Sequence, residues 1–296
     1  MSYKFYISSM CSSHKRIGQA VRELAELGFK NIELTGGTEY YEGIVGQLRE
    51  LKNEYGLDYM VHNYFPPQKE SFVLNIASSD FTTKKKCMAL IKSALELTKE
   101  FGGGVYGIHP GFINEVMPEL VNGFFTKTSK VNPKDNVYRF LEELRPYIRD
   151  AGVKLAVENI APRSSSDAFS FLTAESAILE FFEYISGIDE IGFLFDMAHL
   201  NVAGNILKYD KEKILRAIES EYLDKIYEIH VSGDSHVKDT HLIIEKDSWQ
   251  LIWLACHKDK YNDLPVVFEW HDCASKETFE KCVELESTLE FSAKNA

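Results

Sequence analysis

"FLFDMAHLN", residues 193–201, ends an apolar run that begins at Ile191 on a carboxylate, Asp196, with a histidine three residues later. Leaving a charge at the end of a buried strand is unfavourable unless something holds that charge. The same pattern recurs along the chain. Apolar runs finish at Glu33 (NIEL), His62 (YMVHN), His109 (YGIHPG), Glu158 (LAVENI), Asp196, His230 (YEIHVSG) and Glu269 (VVFEWH). Each of these alone has an ordinary structural explanation, such as a helix cap or a hydrogen-bonded core imidazole. Seven of them on eight strands is a pattern that chance does not supply.

The strands are read at Lys4–Ser8, Asn31–Leu34, Asp58–His62, Val105–His109, Val153–Glu158, Ile191–Asp196, Lys225–His230 and Pro265–Glu269. Between and after them lie amphipathic helical stretches at His14–Leu27, Tyr40–Tyr55, Asp80–Phe101, Asp135–Asp150, Thr173–Ile185, Lys211–Glu221, Ser248–Lys258 and Lys276–Phe291. Gly28, Gly56 and Gly102–Gly104 act as helix stops. Strands alternating with helices predict a parallel sheet, and eight such units in 296 residues predict a closed (β/α)8 barrel. A doubly wound open sheet is disfavoured, because the first strand leads into "SSMCSSHK" rather than a glycine-rich phosphate loop. No linker or low-complexity tract interrupts the alternation, so residues 1–296 are read as one domain.

Hydrophobic residues make up 45% and aromatics 12% of the chain, enough for a large core. No apolar stretch approaches the ~20 residues that span a bilayer, and the N-terminus lacks the apolar segment and cleavage site of a signal peptide. Five cysteines without a CxxC pair fit reduced thiols in a cytoplasm. The net charge of −12 argues against nonspecific wrapping of nucleic acid, although bound divalent cations would reverse the local field in an acidic cleft.

In a barrel of this kind the carboxyl ends of all strands converge on one face, where catalysis sits. Two further pieces are read as loop residues near that face. His199 follows Asp196 at a three-residue spacing, and "SGDSHVKDTHL" offers Asp239 and His241 as an alternating pair. Imidazoles with carboxylates suit zinc or manganese better than magnesium or calcium. Phe112–Lys134 is read as a long loop, with Phe124, Phe125, Lys127 and Lys130 placed to close over a ligand. Arg163 is a candidate for an anionic group, Tyr64 and Phe65 for stacking on a ring, and His271 for a further site contact.

"VHNYFPPQKESFVLNIASSD", "GIHPG", "VENIAPRSSS", "FDMAHLNVAG" and "IHVSGD…DTHL" resemble the corresponding stretches of the endonuclease IV family, within the xylose-isomerase-like superfamily of metal-dependent barrels. The resemblance to the nucleases implies three zinc ions held by His62, His109, Glu158, Asp196, His199, His230, Asp239, His241 and Glu269. The sugar isomerases and epimerases of the same superfamily share much of this set. For them the resemblance implies one divalent metal gripping substrate oxygens, with Glu158 and Glu269 moving a proton through an enediolate and His199 touching substrate or a second metal. The expected metal content is therefore one to three ions per chain. Departures favour the second implication. "ELTGGTEYYEG" stands where the nucleases carry a basic DNA-entering loop, and "LIIEKDSW" replaces their glycine-rich turn. The expected activity is isomerisation or epimerisation of a sugar or sugar phosphate. The alternative is zinc-dependent hydrolysis at abasic DNA, in which nucleic acid becomes a partner. A binding module that keeps its metal is the non-enzymatic alternative. No membrane partner is expected, and a homo-oligomer is compatible with the reading.

Overall fold

Eight strands pair in parallel around a closed ring in the order β1-β12-β9-β8-β7-β4-β3-β2. These are β1 (Tyr3–Ser8), β2 (Asn31–Leu34), β3 (Asp58–His62), β4 (Val105–Ile108), β7 (Lys154–Glu158), β8 (Ile191–Asp196), β9 (Ile226–Val231) and β12 (Leu264–Phe268). The computed structural model describes residues 3–36, 38–70, 72–118, 125–130, 132–162 and 170–291. Two antiparallel hairpins are added at the carboxyl ends of the ring, β5 (Asn114–Pro118) with β6 (Phe125–Lys130), and β10 (Gly233–Asp234) with β11 (Asp239–Leu242). The expected (β/α)8 barrel is the observed fold.

The helices are α1 (Ile17–Leu27), α2 (Ile44–Tyr55), α3 (Phe81–Phe101), α4 (Pro133–Ala151), α5 (Glu175–Ile185), α6 (Met197–Leu207), α7 (Lys211–Ala217), α8 (Trp249–His257) and α9 (Lys276–Phe291). Local chemistry fixes their ends. Asp80 caps α3 by accepting the Thr83 N–H, and Gly28 ends α1 at φ 116°, a left-handed backbone that a side chain would strain. Among the described residues, no helix is long and apolar enough to cross a membrane.

Three elements differ from the sequence reading. Residues 197–207 form a helix that begins with no intervening loop, so His199 lies in a first helical turn rather than in a loop. Asp196 explains why: it ends β8 and caps α6 at once, its carboxylate accepting the His199 N–H at 2.6 Å. The stretch read as a long loop after His109 is largely the β5–β6 hairpin. Its tip, including Phe124, lies outside the described residues, as do the side chains of Phe125, Lys127 and Lys130. The helix read to Glu221 leaves α-geometry after Ala217 and continues as a π turn through Tyr222.

A main core lies between ring and helices, with Ile7, Ile32, Val61, Tyr106, Leu155, Phe193, Ile229 and Phe268 among its buried members. A second, smaller cluster of Tyr6, Met60, Val105, Ala156, Leu194 and Val267 plugs the ring from within. Strand alternation sends one set of side chains outward to the helices and the other inward. The residues two positions beyond Met60, Ala156, Leu194 and Val267 are His62, Glu158, Asp196 and Glu269, so the apolar plug forms the floor beneath them.

Candidate metal centre

The strand-end residues meet above this floor. Glu158, Asp196, His230 and Glu269 are almost wholly buried, and each offers a ligand atom within 4.8 Å of the others. Two flanking groups extend the centre, His62 with His109 and Glu158 on one side, and His199 with Asp239 and His241 on another. Together these are the nine residues read as ligands. They come from β3, β7, β8 and β9, from residues just past β4 and β12, from the first turn of α6, and from β11. The hairpin β10–β11 gives Asp239 and His241 their common direction, and His241 adopts a left-handed backbone at φ 46°, an uncommon conformation of the kind that clusters at functional sites.

The spacings suit an ion. Two ligands of one tetrahedral ion with bonds of about 2.0–2.2 Å stand about 3.3–3.6 Å apart. Glu158 Oε2 lies 3.3 Å from His109 Nε2 and 3.5 Å from His62 Nε2, and Glu269 Oε2 lies 3.3 Å from His230 Nδ1. In the third group the contacts are closer than that, hydrogen-bonding distances: Asp239 Oδ2 is 3.0 Å from His199 Nε2 and 2.9 Å from His241 Nε2. The rear nitrogens of three of the histidines face acceptors. His199 Nδ1 donates to the Asn159 carbonyl at 2.9 Å and His241 Nδ1 to the Glu269 carbonyl at 3.2 Å. His230 Nε2 faces the Glu228 carboxylate at 3.0 Å. A proton held at the rear leaves the front nitrogen bare, which is what a metal ligand requires. The residues present therefore fit a divalent cation, with donor types suited to zinc or manganese.

The electrostatics point the same way. Burial opposes charge on every group, but the carboxylates outweigh it for His199 and His230, whose pKa values are held well above the ordinary imidazole range. Burial is likewise outweighed at His241, which Asp239 and Glu269 push up to about 9. Against the same burial penalty, the histidines hold Glu158 well below the carboxylate range and Glu269 down to about 2. Burial dominates at Asp196, pushed up to about 7, and at Glu228, pushed up to about 8. So dense a set of carboxylates and imidazoles, several of them charged against the burial penalty, has the chemistry to hold a cation.

A cavity of about 610 Å3 opens over the centre, lined by His62, Tyr64, His109, His199, Asp239, His241 and Glu269 among others. His271 also lines it and stacks on His241 at 3.9 Å between ring centroids. Tyr64 presents its ring there while its hydroxyl accepts the Leu74 N–H at 2.8 Å. Phe65 is fully buried in the main core and does not reach the cavity. Arg163 lies outside the described residues. Two residues in contact with this set were missed in the sequence reading. Asn159 exchanges two hydrogen bonds with the Asp196 backbone while its carbonyl holds His199. Its position directly after the strand-ending Glu158 was the available signal. The other, Glu228, is two residues before His230 and therefore on the same face of β9.

Residues 21–285 match the family described as xylose isomerase-like TIM barrel. The chain belongs to this family. An uncharacterized protein of Methanocaldococcus jannaschii is 26% identical over 255 residues, covering 82% of this chain and 75% of that one. Fructoselysine 3-epimerase of Escherichia coli O157:H7 is 23% identical over 164 residues, 52% of this chain and 54% of that enzyme. Among solved structures, a D-tagatose 3-epimerase-like protein superposes over 99% of both chains with a TM-score of 0.73 at 23% identity. At that identity the likeness to the solved structure establishes the fold alone.

Proposed function

We propose that the protein is a divalent-metal-dependent epimerase or isomerase of a ketose or related sugar, working by proton transfer at the carbon beside a carbonyl. The observation that carries this reading is the placement of two carboxylates, Glu158 at the end of β7 and Glu269 just past β12, around Asp196 and His230, with all four ligand atoms within 4.8 Å. Glu158, Asp196, His230 and Glu269 would hold the ion, which supplies Lewis-acid polarisation of a substrate carbonyl. The rest of the chemistry belongs to the chain. Burial opposes ionisation of both glutamates, yet neighbouring histidines keep them ready to accept a proton. One takes the C–H proton, while the other, having first taken up a proton from solvent, delivers it to the opposite face of the enediolate and inverts the centre. The first then releases its proton to solvent, which restores the pair. Glu269 lines the open cavity directly, while His199 and His241 supply polar contacts at its wall.

Similarity to fructoselysine 3-epimerase and to the D-tagatose 3-epimerase-like fold supports this reading. So do the net charge of −12 and the absence of Lys or Arg from "ELTGGTEYYEG", which disfavour a nucleic-acid substrate. A second reading rests on a specific observation. The flanking groups His62–His109–Glu158 and His199–Asp239–His241 would offer further cation positions beside the central one, and neighbouring ions are what phosphodiester hydrolysis uses.

The deciding experiment incubates zinc- or manganese-loaded protein with a panel of ketoses in D2O and, separately, with an abasic-site duplex. Deuterium entering the carbon beside the carbonyl, abolished in Glu158→Gln and Glu269→Gln, is the expected result. Strand cleavage by the parent but not by His109→Ala, with no deuterium uptake, would overturn the epimerase reading in favour of the hydrolase.

A further inference from the structure

The layer beneath the centre is apolar at four of its inward positions, Met60, Ala156, Leu194 and Val267, each two residues before a residue of the nine-membered set. At the corresponding position two residues before His109 stands Gly107, and two residues before His230 stands Glu228, in register with Leu194. Glu33 on β2 is in register with Met60. Two carboxylates are thus sunk into the plug of the barrel, and both are completely inaccessible to solvent. Among the described residues their ion-pair partners are histidines alone. Glu33 Oε1 lies 3.0 Å from His230 Nε2 and 3.9 Å from His62 Nδ1, and Glu228 Oε1 lies 3.0 Å from His230 Nε2. Both oxygens of Glu33 and Glu228 Oε2 have no hydrogen-bond donor, and His62 Nδ1 has no acceptor in hydrogen-bonding geometry. A barrel plug filled by apolar side chains would be the more stable solution, since buried charges carry a large desolvation cost.

From this placement we infer that Glu33 and Glu228 are positioning residues. Both carboxyl groups stand behind the rear nitrogen of His230, so that a metal-bound His230 keeps its proton on Nε2 and turns Nδ1 to the ion, while Glu33 lies 3.9 Å behind His62 Nδ1. The front geometry agrees, because His62 Nε2 stands 3.5 Å from Glu158 and His230 Nδ1 3.3 Å from Glu269. Carboxylates behind ligating imidazoles fix ring orientation and tautomer and raise ligand basicity. The inference rests on the metal reading of the centre and adds that the inner layer sets how tightly the ion is held.

The test uses metal-free full-length protein and measures zinc affinity by competition with a chromogenic chelator, alongside melting temperature without metal. Glu228→Leu is expected to bind zinc about 10–100-fold more weakly. The metal-free melting temperature, read alongside, separates a loss of affinity from a loss of fold. Glu228→Gln keeps an acceptor for the His230 N–H and is expected to retain most of the affinity, which guards against loss of fold in the leucine variant. In zinc-loaded, 15N-histidine-labelled parent, His230 is expected to carry its proton on Nε2, and that signal should be lost in Glu228→Leu. Equal zinc affinity in parent and Glu228→Leu would overturn the inference alone. A parent that takes up neither zinc nor manganese would overturn the metal reading and this inference with it.

Discussion

Asp196 and His199 show how much a three-residue spacing can hold. The carboxylate ends a strand, caps a helix through the His199 N–H and faces the imidazole at 3.5 Å. Substitutions separate these tasks. Asp196→Asn keeps an oxygen for the cap, whereas Asp196→Ala loses it, so thermal unfolding of the metal-free proteins should place the alanine variant about 1 kcal/mol below the asparagine variant. Both should bind zinc weakly. Protonation gives a second prediction at this scale. His241 has its folded-state pKa raised to about 9, with burial opposing and Asp239 and Glu269 prevailing. The folded protein therefore holds a proton that the unfolded chain releases near 6.5. That stabilisation is complete below pH ~6.5 and is lost as pH rises to about 9, so the melting temperature of the metal-free protein should fall across this window. Metal uptake must displace such protons, and calorimetry in buffers of different ionisation enthalpy should report their release at pH 7. Most of the centre was legible residue by residue because a charged side chain ending an apolar run is conspicuous. Glu228 was not, because it sits inside the run, where the reading attended only to strand ends.

At the scale of elements, the strands were readable because their apolar runs end abruptly on polar residues, and glycines mark the ends of several of the helices between them. Helix α6 was hidden for the opposite reason. Asp196 is both the last residue of β8 and the cap of α6, so no glycine, proline or polar loop separates the two. The β5–β6 hairpin was hidden because its polar, irregular residues resemble a loop until they pair. Packing between elements yields a further prediction. A Cβ on Gly107 of β4 would come within 2.7 Å of His62 Nδ1 and Leu194 Cδ1 and within 3.0 Å of Glu228 Oε2. Gly107→Ala should therefore push the inner layer apart, at a cost of about 1–3 kcal/mol. It should also weaken metal binding through His62, readable by chemical denaturation and zinc titration of the same samples.

For the whole molecule, the core that surrounds the ring is large and independent of the centre, so removing metal should not unfold it. Chelator-treated protein should keep its far-ultraviolet circular dichroism. Added zinc or manganese at about 100 times its dissociation constant should contribute about 2.7 kcal/mol, seen as a concentration-dependent rise in melting temperature. An unchanged melting temperature across a saturating metal titration would count against a bound ion. The centre also has no local version of itself. Glu158 lies midway along the chain, while Glu269 directly follows β12, the strand that pairs with β1 and closes the ring. A chain leaving the ribosome carries three-quarters of its four-residue ligand set, Glu158, Asp196 and His230, before the final carboxylate emerges. On the proposed metal reading, the strand that closes the cylinder is also the one that brings in the last ligand, so the seam and the cation site would be completed together.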